Sequence, residues 1–452
     1  MTLTHNILTT LSARVATLGL AVVSSIVLTR WLGPDGRGLF TLVLLLPGLT
    51  MNLGLLGFDQ ANTVYAGLKP DKRPALFWHS LAIAFGVGTL LTVAAIGFVA
   101  MGAPGFGNLV RGSLWLYALP LSIVPIRVVA EHASAILRGM NRIFLLNIVE
   151  VATRVGVIVL IGIFVVGLGL GVGGAVWMEL VAGVGSAALM LGLLASAGAV
   201  GRPVFDPTLW RQTWRFAIPV YAAALMTFLN YRIDQFMVAA MLPPEQLGFY
   251  GLAVEITERL WILTGAVATA LLPHLANSTE AEPTLVPTIC RHVLLWTGTA
   301  AFLLFVLSDL LITTLYSSAF AATSTAVKWL LPGVVALTVG KVLIAALAAR
   351  EKVAFTAWLA AVAALLNIIA NFVLIPFMGI AGAGLASSLS YSLITGVVLR
   401  RYVRETGFCW TVILPRLGDV STYARILNRR ALAPAPSGQP PMETAARGLP
   451  RP

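Results

Sequence analysis

Ionisable side chains recur inside stretches that are otherwise apolar: Arg14; Asp59; Arg127, Glu131 and His132; Glu150 and Arg154; Glu179; Arg232 and Asp234; Glu255, Glu258 and Arg259; and Lys341. A charge within an apolar helix is costly, so such a group faces a partner or a wet cavity. Arg127–Glu131, Glu150–Arg154 and Glu255–Arg259 are each spaced four apart. Each pair can meet along one helix face, as a structural pin or as part of a polar pathway. Arg14 and Lys341 have no carboxylate three or four positions away, and Arg232 stands two from Asp234, pointing in a different direction. Arg14, Arg232 and Lys341 are therefore the leading candidates to meet an anionic ligand, with Arg127, Arg154 and Arg259 as further basic contacts. Arginine offers a planar fork of donors to phosphate oxygens and lysine a point charge. The carboxylates would keep such a site from becoming a trap. Asp59 and Asp234 are the candidates to carry a coupling proton or sodium ion.

The elements that hold these residues follow from composition. The chain has 452 residues, 58% hydrophobic and 11% charged, with mean hydropathy +0.90. Soluble domains carry roughly 25% charged residues, so the bilayer is the expected solvent. Apolar runs of about 20 residues recur throughout, each long enough to cross about 30 Å of hydrocarbon. They do not alternate in the manner of a barrel strand, so only helices fit. Twelve spans are expected, near 9–29, 40–64, 76–101, 114–136, 144–166, 172–196, 215–240, 249–274, 292–314, 325–348, 354–376 and 380–400. The fold class is an all-α polytopic membrane protein.

The formal net charge of +12 points to basic cytoplasmic loops rather than to nucleic acid. With the amino terminus inside, the inner loops hold Lys69, Lys72, Arg73, Arg138, Arg142, Arg202, Arg211, Arg215, Arg291, Arg350 and Lys352. The outer side holds Arg37 and Arg111, with Arg30 and Lys328 at its rim. Both termini are expected in the cytoplasm. The first apolar run lacks a basic n-region and a small-residue cleavage site, so it is expected to be a retained helix. Cys290 and Cys409 fall on the inner side, and no disulfide is expected. Residues 404–452 divide into an amphipathic segment on the inner membrane surface and a Pro/Gly/Ala-rich disordered tail.

A repeat runs through the chain. "LGPDGRGLF" at 32–40 is echoed by "LPPEQLGFY" at 242–250, an offset of 210, and "GVGGA" at 171–175 by "GIAGA" at 379–383, an offset of 208. Arg142 and Lys352 also stand 210 apart. An offset of six spans is even, so the halves are expected to be two parallel six-helix repeats around a central cavity. The expected bounds are 1–200 for the first bundle, 201–214 for a cytoplasmic linker and 215–403 for the second bundle. The 32–40 stretch is expected to be an outer hairpin turned by Pro34 and Gly36. Gly169, Gly171 and Gly174 spell a dinucleotide fingerprint, but no strand precedes them. The sequence has no P-loop and no zinc spacing, and no cofactor or metal is expected. His132 is expected as a polar face of its helix. Tyr65, Tyr221, Phe228, Tyr231 and Tyr391 could stack on sugars or simply pack; Asn230, Asn367 and Asn371 could bond sugars or join helices.

"LTRWLGPDGRGLFTLVLLLPGL" at 28–49 and "FDPTLWRQTWRFAIPVYAAAL" at 205–225 resemble the starts of the two halves of the Wzx-type polysaccharide-biosynthesis flippases, within the multidrug/oligosaccharidyl-lipid/polysaccharide exporter superfamily. The resemblance covers about residues 1–405. It implies two six-helix bundles around a cavity that opens alternately to each side. It implies a cargo of polyprenyl-pyrophosphate-linked oligosaccharide, carried across a bacterial inner membrane, and transport rather than bond making. Membrane lipids and polysaccharide polymerase or chain-length machinery would be the partners of an otherwise monomeric protein. The rival expectations are a multidrug/cation antiporter of the same superfamily and a membrane O-antigen polymerase or ligase. The unpaired basic residues disfavour the first. The short outer loop at 102–113, which lacks a carboxylate, disfavours the second.

Overall fold

The computed structural model describes residues 3–102, 112–262, 264–265, 284–348, 353–416 and 418–419, with side chains from Arg14 onward except 353, 354 and 356. Helix α1 (Leu3–Leu55) is interrupted by Gly33, whose φ of 65° and ψ of 178° are closed to a side-chain-bearing helical residue. Straight, its 53 residues would reach about 80 Å, far more than one bilayer crossing, so the break divides two spans. Pro34 starts the second piece, where its missing N–H costs nothing. The expected hairpin is thus a single residue, and Arg37 lies one turn inside a helix rather than in an outer loop.

The second piece stops at Leu56 and Gly57, both with positive φ, and continues as α2 (Phe58–Leu68). Helix α3 (Arg73–Ile83) passes through a wide turn at Ala84–Gly88 into α4 (Thr89–Ala100). Helices α5 (Leu114–Ser122) and α6 (Val124–Gly139) form one span bent at Ile123 between Pro120 and Pro125. Helix α7 (Ile143–Leu160) widens over Ile161–Gly167 and is followed by α8 (Gly171–Ser196).

The second half opens with α9 (Pro207–Met241), which begins inside the stretch expected as linker. Asp206 caps it, accepting from the Leu209 N–H at 2.9 Å and pairing with Lys72 at 3.1 Å. Those two contacts hold its carboxyl below the usual carboxylate range. Helices α10 (Pro244–Glu258), α11 (Leu285–Leu315), α12 (Thr323–Ala348), α13 (Val353–Met378) and α14 (Ile380–Thr406) complete it. Among the described residues, ten helices are long and apolar enough to cross a membrane. The first of these, Arg14–Leu55, contains the two spans joined at Gly33. The span expected at 249–274 is described only in its first part, as α10. The chain is a multi-pass, all-α integral membrane protein, and Phe372, Phe377, Phe302 and Leu90 stand exposed on its lipid side.

The halves meet through the echoed motif. A Cβ on Gly38 would collide with the Pro244 carbonyl, and one on Gly248 with the Pro34 carbonyl. The offset of 210 carries Pro34 onto Pro244 and Gly38 onto Gly248, so the contact is reciprocal, as across a two-fold axis. A second matched pair lies within the halves: Gly174 abuts the Phe164 carbonyl and Gly382 that of Leu374. That approach, not a phosphate, accounts for the third glycine of the fingerprint. Leu42, Val43 and Leu46 of α1 share one core with Leu247, Tyr250 and Val254 of α10 and with Phe320 and Leu330. Arg30 extends the seam: its Nε donates to the Leu315 carbonyl at 2.8 Å and its Nη2 to that of Thr314, capping α11.

Beyond α14, a short turn at Trp410–Ile413 buries Ile413, and Asp419 pairs with Arg291 at 3.2 Å. This part of the expected amphipathic segment is docked on protein. The tail beyond, Arg111, Arg350 and Lys352 lie outside the described residues.

Candidate functional site

Three adjoining chambers of about 500, 280 and 970 Å³ run through the molecule, the first two between the halves and the third walled by the first half. The first two share Arg37, Phe40, Leu44, Glu255 and Glu258; the first and third share Glu150, Arg154, Val157 and Glu179. They run from the Arg37 level to Arg14 and Arg138 at the basic end, while the Gly38–Gly248 contact fills the seam at the other. Seven arginines (14, 37, 127, 138, 154, 232 and 259) and five glutamates (131, 150, 179, 255 and 258) line them. Among the described residues arginine exceeds carboxylate by two, and no lysine or aspartate lines these chambers.

Most of these charges are paired, and half of the whole set pair across helices. Arg37 on α1 reaches Glu255 on α10 at 2.5 Å, and Arg259 binds the other oxygen of the same carboxylate. The Glu255–Arg259 spacing therefore forms its expected pair. Two other expectations change. Arg127 pairs not with Glu131 but with Glu179 on α8 at 2.5 Å, and Glu131 pairs with Arg138 at 2.9 Å. Arg232 is not partnerless: both its terminal nitrogens bind Glu258, at 2.8 and 3.0 Å. Spacing along one helix cannot reveal Glu179 or Glu258, which stand on other helices, and the Glu131–Arg138 pair spans two turns of α6 rather than one. Glu150 and Arg154 form no ion pair among the described residues, and neither does Arg14. All three side chains face the third chamber.

Lys341 is elsewhere. Its ammonium sits 3.7 Å from the Trp261 ring centroid and 5.1 Å from that of Tyr231, in a cluster closed by Tyr391. Cation–π attraction replaces an ion pair there, and Lys341 lines none of the three chambers. Asp234 is buried behind the cavity. It accepts from Gln235 N at 2.7 Å, Tyr250 Oη at 2.5 Å and Ser387 Oγ at 2.9 Å. Asp59 stands in the first turn of α2, beside Gln60 at 2.9 Å, outside the chambers. Asn230 accepts from Ser390, and Asn371 bonds Asn367 one turn away, so these amides are engaged within the helix packing. His132 is fully buried against the Leu55 carbonyl at 3.3 Å. Of the candidate aromatics, Phe228 lines the second chamber.

An all-α bundle enclosing a charged cavity between matched halves defines a membrane transporter. A profile of the polysaccharide biosynthesis protein family matches residues 3–279, and the chain belongs to that family. No curated protein sequence matches it. Its fold is that of the MOP transporter superfamily. The lipid II flippase MurJ in an inward closed conformation superposes with a TM-score of 0.71 at 14% identity, over 94% of this chain and 92% of that one. An inward-facing multidrug resistance MATE transporter gives 0.68 at 16%, over 87% and 98%. A MOP-superfamily transporter from Pyrococcus furiosus, described as having a binding pocket of reversed polarity, gives 0.60 at 15%, over 90% and 96%. These relatives are transporters rather than enzymes.

Proposed function

We propose that the protein flips a polyprenyl-pyrophosphate-linked oligosaccharide across the bacterial inner membrane by alternating access between its two six-helix halves, with both termini cytoplasmic. The observation that carries this is the arginine surplus of the cavity, with Arg14 and Arg154, among the described residues, free of ion pairs at its basic end. A pyrophosphate crossing a low-dielectric region needs charge-assisted donors that move no further than a rotamer to meet it. Arg14 and Arg154 receive the head group first. Arg127, Arg232 and Arg259, and Arg37 with them, are held ready by carboxylates that the head group displaces as it advances. Asp234, with three donors around it, is the candidate proton or sodium carrier. The division at 1–200, 201–214 and 215–403, with membrane lipids and polymerase machinery as neighbours, belongs to the same proposal.

A second reading, an antiporter of organic cations, has one observation of its own: the Tyr231–Trp261 pocket already holds an ammonium, that of Lys341. Proteoliposomes separate the two. Flipping of a fluorescent polyprenyl-pyrophosphate sugar, lost in Arg14→Ala and Arg154→Ala, supports the flippase. Absence of flipping together with proton- or sodium-driven uptake of organic cations replaces it with the antiporter.

A further inference from the structure

On the lipid side of the first half, an apolar groove of about 670 Å³ runs between α7 and α8. Thr153, Ala182 and Ser186 line both this groove and the third, charged chamber, so at that level the wall between cavity and bilayer is one side chain thick. Gly156, Gly185 and Gly192 keep it hollow: a Cβ at any of them would meet nothing within 4 Å. The other half provides an internal comparison. The Gly174–Phe164 and Gly382–Leu374 contacts fix the register of the two copies. In that register, 210 for α7 and 208 for α8, Leu366 and Leu393 stand where the groove has Gly156 and Gly185. At these two positions the first copy has no side chain and open space around the Cβ position, and the second has leucine.

We propose that this groove holds the hydrocarbon tail of the lipid-linked cargo while its head group occupies the charged cavity, which makes α7–α8 the lateral opening of the transporter. The proposal rests on the flippase reading above and adds where the tail goes. A cargo that is ionic at one end and hydrocarbon along the rest cannot be enclosed by a polar cavity. Moving the tail from bilayer to groove yields little hydrophobic gain, because lipid is already apolar. What the groove supplies is continuity: the first isoprene units leave the pyrophosphate through a wall that offers no bulky or charged side chain. A small water-soluble cation would need no such opening.

The test uses the full-length protein in nanodiscs and three preparations: wild type, Gly185→Leu and Gly156→Leu. Two probes are compared, inorganic pyrophosphate and a long-chain polyprenyl pyrophosphate with a photoreactive group in its second isoprene unit. The expected result is labelling of wild type within residues 152–193, competed by pyrophosphate. Both leucine variants lose that labelling and bind the long-chain probe about tenfold or more weakly, the scale of an overpacking penalty. They bind inorganic pyrophosphate as wild type does, which also shows that they are folded. Labelling confined to other segments, or variants that bind the long-chain probe normally, would overturn the groove and leave the flippase standing. A wild type that binds neither probe would overturn both.

Discussion

Arg37 and Glu255 stand 2.5 Å apart, one on each half of the molecule, and Glu255 is shared with Arg259. This is the ionic tie between α1 and α10 where the cavity narrows toward the Gly38–Gly248 seam. Removing Glu255 leaves two guanidiniums facing one another, whereas removing Arg37 leaves Glu255 with Arg259.

Glu255→Gln is accordingly expected to be less stable than Arg37→Gln, and the double variant no worse than Glu255→Gln alone. Breaking a dry buried pair costs about 3–5 kcal/mol; the 30% exposure of Glu255 to the cavity places the cost toward or below the lower figure. Thermal unfolding of the four proteins in one detergent measures it as a double-mutant cycle. Equal losses for the two single variants, or simple additivity, would show that the triad is not coupled.

The reciprocal glycine contact gives a sharper expectation. Gly38→Ala and Gly248→Ala each drive a Cβ into a backbone carbonyl, which has no rotamer with which to yield. Each is expected to destabilise by about 1–3 kcal/mol, the usual overpacking cost, and by similar amounts. Gly48→Ala, whose Cβ would meet open space within the same helix, is expected to be neutral or slightly stabilising. Melting temperatures check all three, and a neutral Gly38→Ala is the result that refutes the contact.

The places where sequence reasoning succeeded and failed follow from what a linear pattern can carry. Span positions are written in runs of apolar residues, so α7, α8 and α12–α14 lie within a few residues of the expected 144–166, 172–196, 325–348, 354–376 and 380–400. Arg37 was hidden because Gly, Pro and Asp around it spell a turn, while one residue, Gly33, is enough to break the helix and Pro34 restarts it. A clue existed in the repeat: the position 210 further on is Leu247, fully buried, so a charge at 37 sits where its counterpart is interior. Ion-pair partners were legible only within a helix. Glu255–Arg259 was found, but Glu179 and Glu258 reach Arg127 and Arg232 from other helices, and no spacing encodes that. Asp59 stands outside the chambers, on the separate helix that begins after the break at Gly57.

Pairing state separates two kinds of arginine. Among the described residues Arg14 and Arg154 support no ion pair, so Arg14→Gln and Arg154→Gln are expected to melt as wild type does while losing at least about tenfold in cargo transport. That scale corresponds to one lost charge-assisted contact of about 1.5–3 kcal/mol. Arg127→Gln and Arg232→Gln strand Glu179 and Glu258, and are expected to lose stability and transport together. Matched flipping rates and melting curves decide the matter. Transport that survives in both Arg14→Gln and Arg154→Gln would remove them from the head-group site.

Sidedness can be measured on the chain's own thiols. Cys290 is buried in α11, and Cys409 is exposed just beyond α14, where the Thr411 hydroxyl donates to its sulfur at 3.3 Å. That hydrogen bond favours the thiolate and lowers the Cys409 pKa. A membrane-impermeant maleimide should therefore label Cys409 alone, readily at neutral pH, and only in inside-out vesicles if the termini are cytoplasmic. Since a lowered pKa means more thiolate below the ordinary thiol value, Thr411→Val should slow labelling near neutrality and leave it unchanged at high pH, where both thiols are ionised. Cys290 should react only after unfolding. Labelling of Cys409 in right-side-out vesicles would reverse the orientation of the whole bundle, and with it the direction in which the basic end of the cavity opens.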